Sequence, residues 1–159
     1  MKIAIGADHR GNDAAREVME HLLAQGHDVD VNAVCDIDSC DYPDKAFVVA
    51  SLVANGDADL GVLICGSGIG MCIAANKVPG VRAALAWDGV TAELSRRHNN
   101  ANVLCLSGDL NSSIEIFGMV NAWLSAEFEA GRHERRVRKI TAIEEGKDPS
   151  TVVDAAVSG

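Results

Sequence analysis

The run Cys65-Gly66-Ser67-Gly68-Ile69-Gly70 carries the residues best suited to chemistry, and it follows a short apolar segment. A cysteine at the start of a helix would be stabilised as a thiolate by the unpaired N–H groups of the first turn. It could then act as a base or a nucleophile, although a cysteine closing an apolar strand is also a common core residue. The glycines around Ser67 predict a tight turn whose backbone N–H groups favour an anion.

The same run partly matches a dinucleotide-binding fingerprint, but Met71 stands where that pattern requires its third glycine. Asp88, about 20 residues further along, occupies the place of a ribose-binding acid. A nucleotide-binding regulatory module is therefore kept as a weaker alternative function.

Asp8 and His9 form a second polar group, which follows the first apolar run of the chain. The glycine spacing from Gly6 to Gly11 is that of a phosphate loop, but the lysine and hydroxyl residue that should follow are missing. This excludes an ATPase of that kind. Asp8 and His9 fit either a helix cap or acid–base and phosphate contacts.

A basic cluster lies at residues 132–139, in a chain whose formal net charge is −9. Arg132 and Arg136 are one helical turn apart at a predicted helix start, where positive charge opposes the helix dipole. An anionic ligand would relieve that conflict, and paired guanidinium groups bind phosphate monoesters well. The spacing therefore favours an anion site over a merely solvated helix face.

His98 and Asn99 directly follow another predicted helix, which is consistent with an ordinary polar helix terminus. A crossover helix returns the chain to the amino end of a parallel sheet, so His98 should lie far from Cys65 of the same subunit. If both residues are catalytic, the site spans a dimer interface.

The elements that would position these residues alternate between short apolar runs and helical patterns, which predicts a single α/β domain with a parallel sheet. Predicted strands cover Lys2–Ala7, His27–Val34, Leu60–Cys65, Val81–Trp87 and Asn102–Ser107. Predicted helices cover residues around 14–23, Asp44–Asn55, Ile69–Lys77, Gly89–Arg97, Ser113–Ala130 and Glu134–Glu145. The domain is expected to span residues 1–145, with 146–159 as a loosely attached tail.

Composition and hydropathy indicate which partners, location and cofactors to expect. The 159 residues are 48% hydrophobic, and 23 acidic against 14 basic side chains disfavour nucleic acid as a partner. No apolar run reaches the length of a membrane span, and no signal-peptide pattern is visible, so we expect a cytoplasmic protein. Five cysteines without a C-x-x-C pair predict reduced thiols, and no metal-binding motif is found, so we expect neither a metal nor another cofactor.

Taken as a set, these motifs resemble those of type B ribose-5-phosphate isomerase, in the ribose/galactose phosphate isomerase family. The residues that carry the resemblance are Asp8-His9, Asp41-Tyr42-Pro43, the 65–70 run, Ala74-Ala75-Asn76-Lys77, His98-Asn99 with Asn102, and Gly131-Arg132-His133 with Arg136. The resemblance implies a Rossmann-like domain with a five-stranded parallel sheet. It also implies a homodimer or a tetramer, with sites shared between subunits, and metal-free aldose–ketose isomerisation of a sugar phosphate in the pentose phosphate pathway.

The resemblance also implies roles for individual residues. Cys65 would be the base, His98 would open the sugar ring, and Ser67 with the turn Gly66, Gly68 and Gly70 would form the anion hole. Some family members use a glutamate six positions after this cysteine, where this chain has Met71, so the chain resembles the cysteine subtype. The expected substrate-binding residues are Asp8, Tyr42 and Asn99 for hydroxyl groups, and His9, Arg132 and Arg136, with His133 as a weaker candidate, for phosphate.

One departure from the family pattern concerns the substrate. Many members carry a phosphate-binding arginine where this chain has Asp109, and an aspartate there would repel a phosphate dianion. Either Asp109 points away, or another cation compensates, or the substrate differs. Ribose 5-phosphate is thus the leading substrate, and a hexose 6-phosphate or tetrose 4-phosphate is the alternative.

Overall fold

The computed structural model describes residues 1–35 and 39–153 and shows five parallel strands in one sheet. The strands are β1 (Lys2–Ala7), β2 (Asp28–Val34), β3 (Leu60–Cys65), β4 (Ala83–Leu85) and β5 (Val103–Ser107). Their order across the sheet is β2-β1-β3-β5-β4, and every pairing is parallel. The predicted α/β, Rossmann-like architecture is confirmed.

Helices cover both faces of the sheet. They are α1 (Asn12–Ala24), α2 (Tyr42–Ala54), α3 (Ile69–Ala75), α4 (Gly89–Asn99), α5 (Ser113–Ser125) and α6 (Arg132–Glu144). The core between the sheet and α1, α4 and α5 contains Trp123, Leu104 and Ile5, all fully buried. The core on the opposite face contains residues of α2 and α3, including Val49 and Met71. Strands β3 and β5 are buried along their whole length, as their continuous apolar sequence predicts.

Strand β4 and helix α5 differ most from their predicted bounds. Strand β4 has three residues, against the seven expected from Val81 to Trp87. Helix α5 ends at Ser125 and not at Ala130, because the backbone turns extended at Ala126 (φ −85°, ψ 141°). Ala130 then adopts a positive φ of 49°, which a continuing α-helix cannot contain. Residues 126–131 are therefore a connecting segment that leads into α6.

The expectation of five reduced thiols is wrong for one pair of cysteines. Cys35 and Cys40 are joined in a disulfide, with Cα atoms 6.4 Å apart, which is within the range that such a bond spans. The two cysteines are five residues apart and do not form a C-x-x-C motif, so this pair could not be recognised from the sequence. Cys65, Cys72 and Cys105 are free thiols.

The chain after α6 packs partly against that helix. A short 3-10 helix covers Pro149–Thr151, and Arg138 Nη2 donates a hydrogen bond to the Val153 carbonyl at 3.3 Å. Residues 154–159 of the expected tail lie outside the described residues, and the domain boundary at residue 145 stays a prediction. Within residues 1–35 and 39–153, no helix combines the length and apolar character needed to cross a bilayer.

Candidate active site

A cavity of about 380 Å³ opens at the carboxyl ends of β1, β3 and β5, three adjacent strands of the sheet. Ligands of open α/β sheets bind at this edge, because loops and helix starts converge there. The residues that line the cavity are Asp8, Arg10, Tyr42, Cys65, Gly66, Ser67, Gly70, Asp109 and Leu110. The fold thus brings together six of the expected catalytic and substrate-binding residues: Asp8, Tyr42, Cys65, Gly66, Ser67 and Gly70.

Cys65 is the last residue of β3, and only 4% of it is exposed. The backbone N–H of Gly68 donates a hydrogen bond to its Sγ at 3.2 Å, which stabilises negative charge on the sulfur. Gly68 can turn back toward the sulfur because its φ is +76°, a value that favours glycine. A Cβ at this position would also lie 2.6 Å from Leu85 Cδ1.

The neighbouring strand end holds the glycine-rich turn in place. Ser107, at the end of β5, donates a hydrogen bond from Oγ to the Gly66 carbonyl at 2.6 Å and accepts one from the Leu110 N–H at 2.9 Å. The Gly108 N–H donates to the Cys65 carbonyl at 2.9 Å. These bonds fix the turn before any ligand arrives, so its N–H groups need little reorganisation to stabilise developing charge.

Asp8 and Tyr42 form the other walls of the cavity. Asp8 is 5% exposed, and its Oδ1 accepts hydrogen bonds from the N–H groups of Arg10 and Gly11 at 2.9 and 3.0 Å. The ring of Tyr42 lies against the backbone of Gly70, where an added Cβ would be 2.6 Å from two ring carbons. Both side chains have polar atoms suited to orienting sugar hydroxyl groups.

Asp109 faces the cavity, and Arg10 compensates its charge. Arg10 donates hydrogen bonds from Nε and Nη2 to Asp109 Oδ2 at 2.8 and 2.5 Å. The hydrogen bond and charge of Asp109 raise the pKa of Arg10 above its ordinary value. The sequence left three possibilities for Asp109: that it points away, that another cation compensates its charge, or that the substrate differs. The structure shows the second, with Arg10 as the cation.

The remaining candidates do not line the cavity that contains Cys65. They are His9, Gly68, His98, Asn99, Arg132 and Arg136. His9 is exposed just beyond β1. Asn99 lines a separate cavity with Asn76 and Arg82, and Arg136 lines another with Lys139 and Val153.

His98 belongs to a cluster of its own with His133 and Glu129. The two imidazole rings stack with their centroids 4.1 Å apart and their planes 4° apart. Glu129 Oε2 lies 3.6 Å from His98 Nε2 and 3.7 Å from His133 Nε2. Burial, followed by the charges of His98, Arg132 and Arg136, lowers the pKa of His133, against the opposing effect of Glu129.

These three side chains are also the candidate metal ligands of the described residues, with ligand atoms within 4.8 Å of one another. A metal binds an imidazole nitrogen along a lone pair in the ring plane. A cation between two parallel stacked rings would instead sit over their faces. The arrangement therefore fits an electrostatic network better than a metal centre.

Asp88 is the acid that favoured nucleotide binding in the sequence, and it is hydrogen-bonded to Thr91 of α4. Its Oδ1 accepts hydrogen bonds from the N–H and the hydroxyl of Thr91 at 2.7 and 2.9 Å. These bonds lower the pKa of Asp88. Asp88 is thus the N-cap of α4, and it does not line the cavity.

Sequence reasoning missed three residues of these sites: Arg10, Leu110 and Glu129. Arg10 directly follows the strand end that was singled out, and its position there was a usable signal. Leu110 is 77% exposed at the cavity rim, and an isolated leucine in a loop gives no signal. Glu129 was placed inside the predicted long helix, so its role in a connecting segment could not be anticipated.

Comparison with known proteins gives consistent matches along the chain. A family described as Ribose/Galactose Isomerase matches residues 3–140. The chain is 44% identical over 148 residues to ribose-5-phosphate isomerase B of Escherichia coli strain K12, covering 92% of this chain and 99% of that protein. It is 48% identical over 144 residues to a probable ribose-5-phosphate isomerase B of Mycoplasma genitalium, covering 89% and 95% of the two chains.

Solved structures show the same likeness in three dimensions. Ribose-5-phosphate isomerase B of Clostridium thermocellum superimposes with a TM-score of 0.89 at 44% identity, covering 92% of this chain and 99% of that one. The Mycoplasma genitalium enzyme with bound ribulose-5-phosphate superimposes with a TM-score of 0.83 at 46% identity, covering 91% and 96%.

Proposed function

The chain belongs to the ribose/galactose isomerase family, and on this premise we propose that it interconverts ribose 5-phosphate and ribulose 5-phosphate through an enediolate. The proposal rests on one observation, the buried thiol of Cys65 at the wall of the cavity. Its sulfur accepts a hydrogen bond from the Gly68 N–H. The Mycoplasma genitalium relative was solved with ribulose-5-phosphate bound, which supports a sugar phosphate as the ligand.

In this mechanism Cys65 is the base, as in the cysteine subtype of the family. The thiolate takes the proton from C2 of the open-chain aldose and returns it to C1, while the proton of the C2 hydroxyl moves to the oxygen on C1. Negative charge develops on the oxygens of the enediolate between these transfers. Ser67 and the N–H groups of the turn from Gly66 to Gly70 would stabilise it.

Other residues bind the sugar or prepare it. Asp8 and Tyr42 in the cavity would orient hydroxyl groups, together with Asn99. His98 would open the furanose ring, and His9, Arg132 and Arg136 would hold the phosphate. His98, Asn99, Arg132 and Arg136 lie outside the cavity of their own chain, so the proposal requires a second subunit to supply them.

A homodimer meets this requirement, and one apolar surface favours it. Phe47 and Val48 on α2, with Ile69 and Ile73 on α3, are between 40% and 62% exposed. Large apolar side chains exposed together on adjacent helices are typical of a surface that pairs with another molecule. Because α3 begins at the glycine-rich turn, a second copy docked here would lie next to the cavity.

A substrate panel tests the proposed function and its alternatives. The purified protein is assayed with EDTA on ribose 5-phosphate, galactose 6-phosphate and erythrose 4-phosphate, and ketose formation is measured. We expect ribose 5-phosphate to give the highest kcat/KM. A higher value for the hexose or tetrose phosphate would overturn the substrate. No turnover of any sugar phosphate, with calorimetric binding of ATP or NAD, would favour the nucleotide-binding alternative.

A further inference from the structure

Glu129 ties the end of α4 to the segment that leads into α6. Its backbone N–H donates a hydrogen bond to the Arg97 carbonyl at 3.0 Å. Its Oε1 accepts hydrogen bonds from Arg97 Nε at 2.8 Å and from Arg97 Nη2. These contacts hold the carboxylate through both backbone and side chain, and they lower the pKa of Glu129. The group is therefore a fixed negative charge.

Arg97 occupies only one oxygen of this carboxylate, and the other faces two imidazoles. Oε2 lies 3.6 Å from Nε2 of His98 and 3.7 Å from Nε2 of His133. These separations exceed hydrogen-bond length, so the attraction is electrostatic and grows when an imidazole gains a proton.

The two imidazoles differ in their burial and in their neighbours. Their ring centroids are 4.1 Å apart, so a positive charge on one ring disfavours a positive charge on the other. His133 is 6% exposed, and Arg132 Nε contacts its Nε2 at 3.4 Å, which further disfavours a positive ring. The side chain of His98 is 33% exposed, so water and ligands can reach it. His98 is therefore the imidazole of this pair that a substrate can reach, and Glu129 faces it.

We propose that Glu129 is a positioning residue for His98, holding its imidazole in place and stabilising its protonated form during the opening of the sugar ring. The inference rests on the proposed function, in which His98 opens the furanose. Nε2 of His98 faces Glu129, and within the described residues Nδ1 has no hydrogen bond. Nδ1 is thus the nitrogen left for the substrate.

The ring-opening step explains why a fixed negative charge would help. The proton of the anomeric hydroxyl leaves, the C1=O bond forms, the C1–O4 bond breaks, and O4 receives a proton. His98 can take the first proton and return it to O4, so it is positively charged only between the two transfers. Glu129 stabilises that charge, while the neighbouring neutral ring of His133 adds no repulsion.

Two reactions separate ring opening from the chemistry at Cys65. Net isomerisation of ribose 5-phosphate starts from the furanose. Exchange of a C1 hydrogen of ribulose 5-phosphate with D2O needs only enediolate formation, because that ketose cannot close a five-membered ring when O5 carries phosphate. For Glu129→Gln, we expect net isomerisation to fall by at least about tenfold. The NMR-measured exchange should stay within about twofold of wild type.

Controls make the outcome specific. Glu127→Gln removes the same charge from an exposed position in the same segment and should leave both rates unchanged. His98→Gln should show the same split as Glu129→Gln. If Glu129→Gln instead lowers both rates equally, or neither rate, the positioning role is wrong. If Glu129→Gln fails to fold, Arg97→Met removes the anchor of the carboxylate and should give the same split.

The proposed function and this inference can fail separately. If the wild type catalyses neither isomerisation nor exchange, the proposed function fails. If the wild type catalyses both and His98→Gln shows the split while Glu129→Gln does not, only the role of Glu129 is overturned.

Discussion

Arg10 and Asp109 form an ion pair at the rim of the cavity that contains Cys65, with two hydrogen bonds to one carboxylate oxygen. Arg10 is the one cation among the described residues that line this cavity, which also carries the carboxylates of Asp8 and Asp109. A guanidinium thus stands beside the carboxylate of Asp109 in this cavity. The pair offsets the repulsion that Asp109 alone would exert on a phosphate dianion.

Removing the Arg10 charge should weaken substrate binding. Arg10→Met keeps most of the aliphatic stem but leaves Asp8 and Asp109 uncompensated in the cavity. We expect KM for ribose 5-phosphate to rise by about tenfold, with kcat within about threefold of wild type, because the cation acts on binding rather than on proton transfer. Steady-state kinetics measure both.

The matched change is Asp109→Asn, which keeps a hydrogen-bond acceptor for Arg10 and removes the negative charge. KM should then stay equal or fall. An unchanged KM in Arg10→Met, or a raised KM in Asp109→Asn, would show that this pair does not govern phosphate binding.

Shared sites should allow two inactive variants to restore each other. In a dimer of one Cys65→Ala subunit with one His98→Gln subunit, one site carries both changes and the other carries neither. Random pairing makes half of the dimers mixed, so the co-refolded mixture should recover about a quarter of wild-type activity.

The control for this experiment is a mixture of separately folded variants under conditions that prevent subunit exchange, which should remain inactive. Sedimentation velocity establishes that the species are dimers. Absence of recovery in verified mixed dimers would place Cys65 and His98 in the same subunit's site, contrary to the proposal.

Gly68 should be intolerant of a side chain. Gly68→Ala combines a positive φ with a Cβ 2.6 Å from Leu85 Cδ1 and 2.9 Å from the Leu106 carbonyl oxygen. We expect a loss of about 3 kcal/mol in the free energy of unfolding, from strain and overpacking together. Gly26→Ala has a φ of +82° with open space around it and should lose only about 1 kcal/mol. Urea unfolding compares them, and equal losses would contradict the close packing of the turn.

Cys72 should react at lower pH than an ordinary thiol. Hydrogen bonds, first from the Cys105 thiol and then from the backbone at Leu85 and from Asn76, lower its pKa to about 7 against the effect of burial. The thiolate fraction should rise through pH 7 and level off above pH 8. Iodoacetamide labelling followed by peptide mass spectrometry should show this profile for Cys72. Burial raises the pKa of Cys105, which should remain unlabelled. A labelling rate of Cys72 that keeps rising to pH 9 would contradict the lowered pKa.

The parts of the fold that follow local rules could be predicted from the sequence. The runs 2–7 and 60–65 are apolar, and the structure gives them the predicted boundaries. The cavity at the ends of β1, β3 and β5 follows from parallel topology, which places Cys65 and Asp8 at the same edge of the sheet.

The features that depend on distant contacts could not be predicted. Helix α5 ends at Ser125, and the segment after it is held by a hydrogen bond from the Glu129 N–H to the carbonyl of Arg97, 32 residues earlier in the chain. The Arg10–Asp109 pair joins residues 99 positions apart. The disulfide between Cys35 and Cys40 is a local pairing that was missed for another reason, since cysteine number and spacing do not show how close the two thiols come.

The role of Cys65 as the base is best tested by the rate of ribulose 5-phosphate formation from ribose 5-phosphate, measured for wild type and for Cys65→Ala under identical conditions. The small side chain of alanine fits the buried position, so circular dichroism should show the same fold for both. We expect turnover by the wild type and a loss of at least about a thousandfold in Cys65→Ala. Turnover retained in the folded Cys65→Ala protein would contradict the assignment of Cys65 as the base.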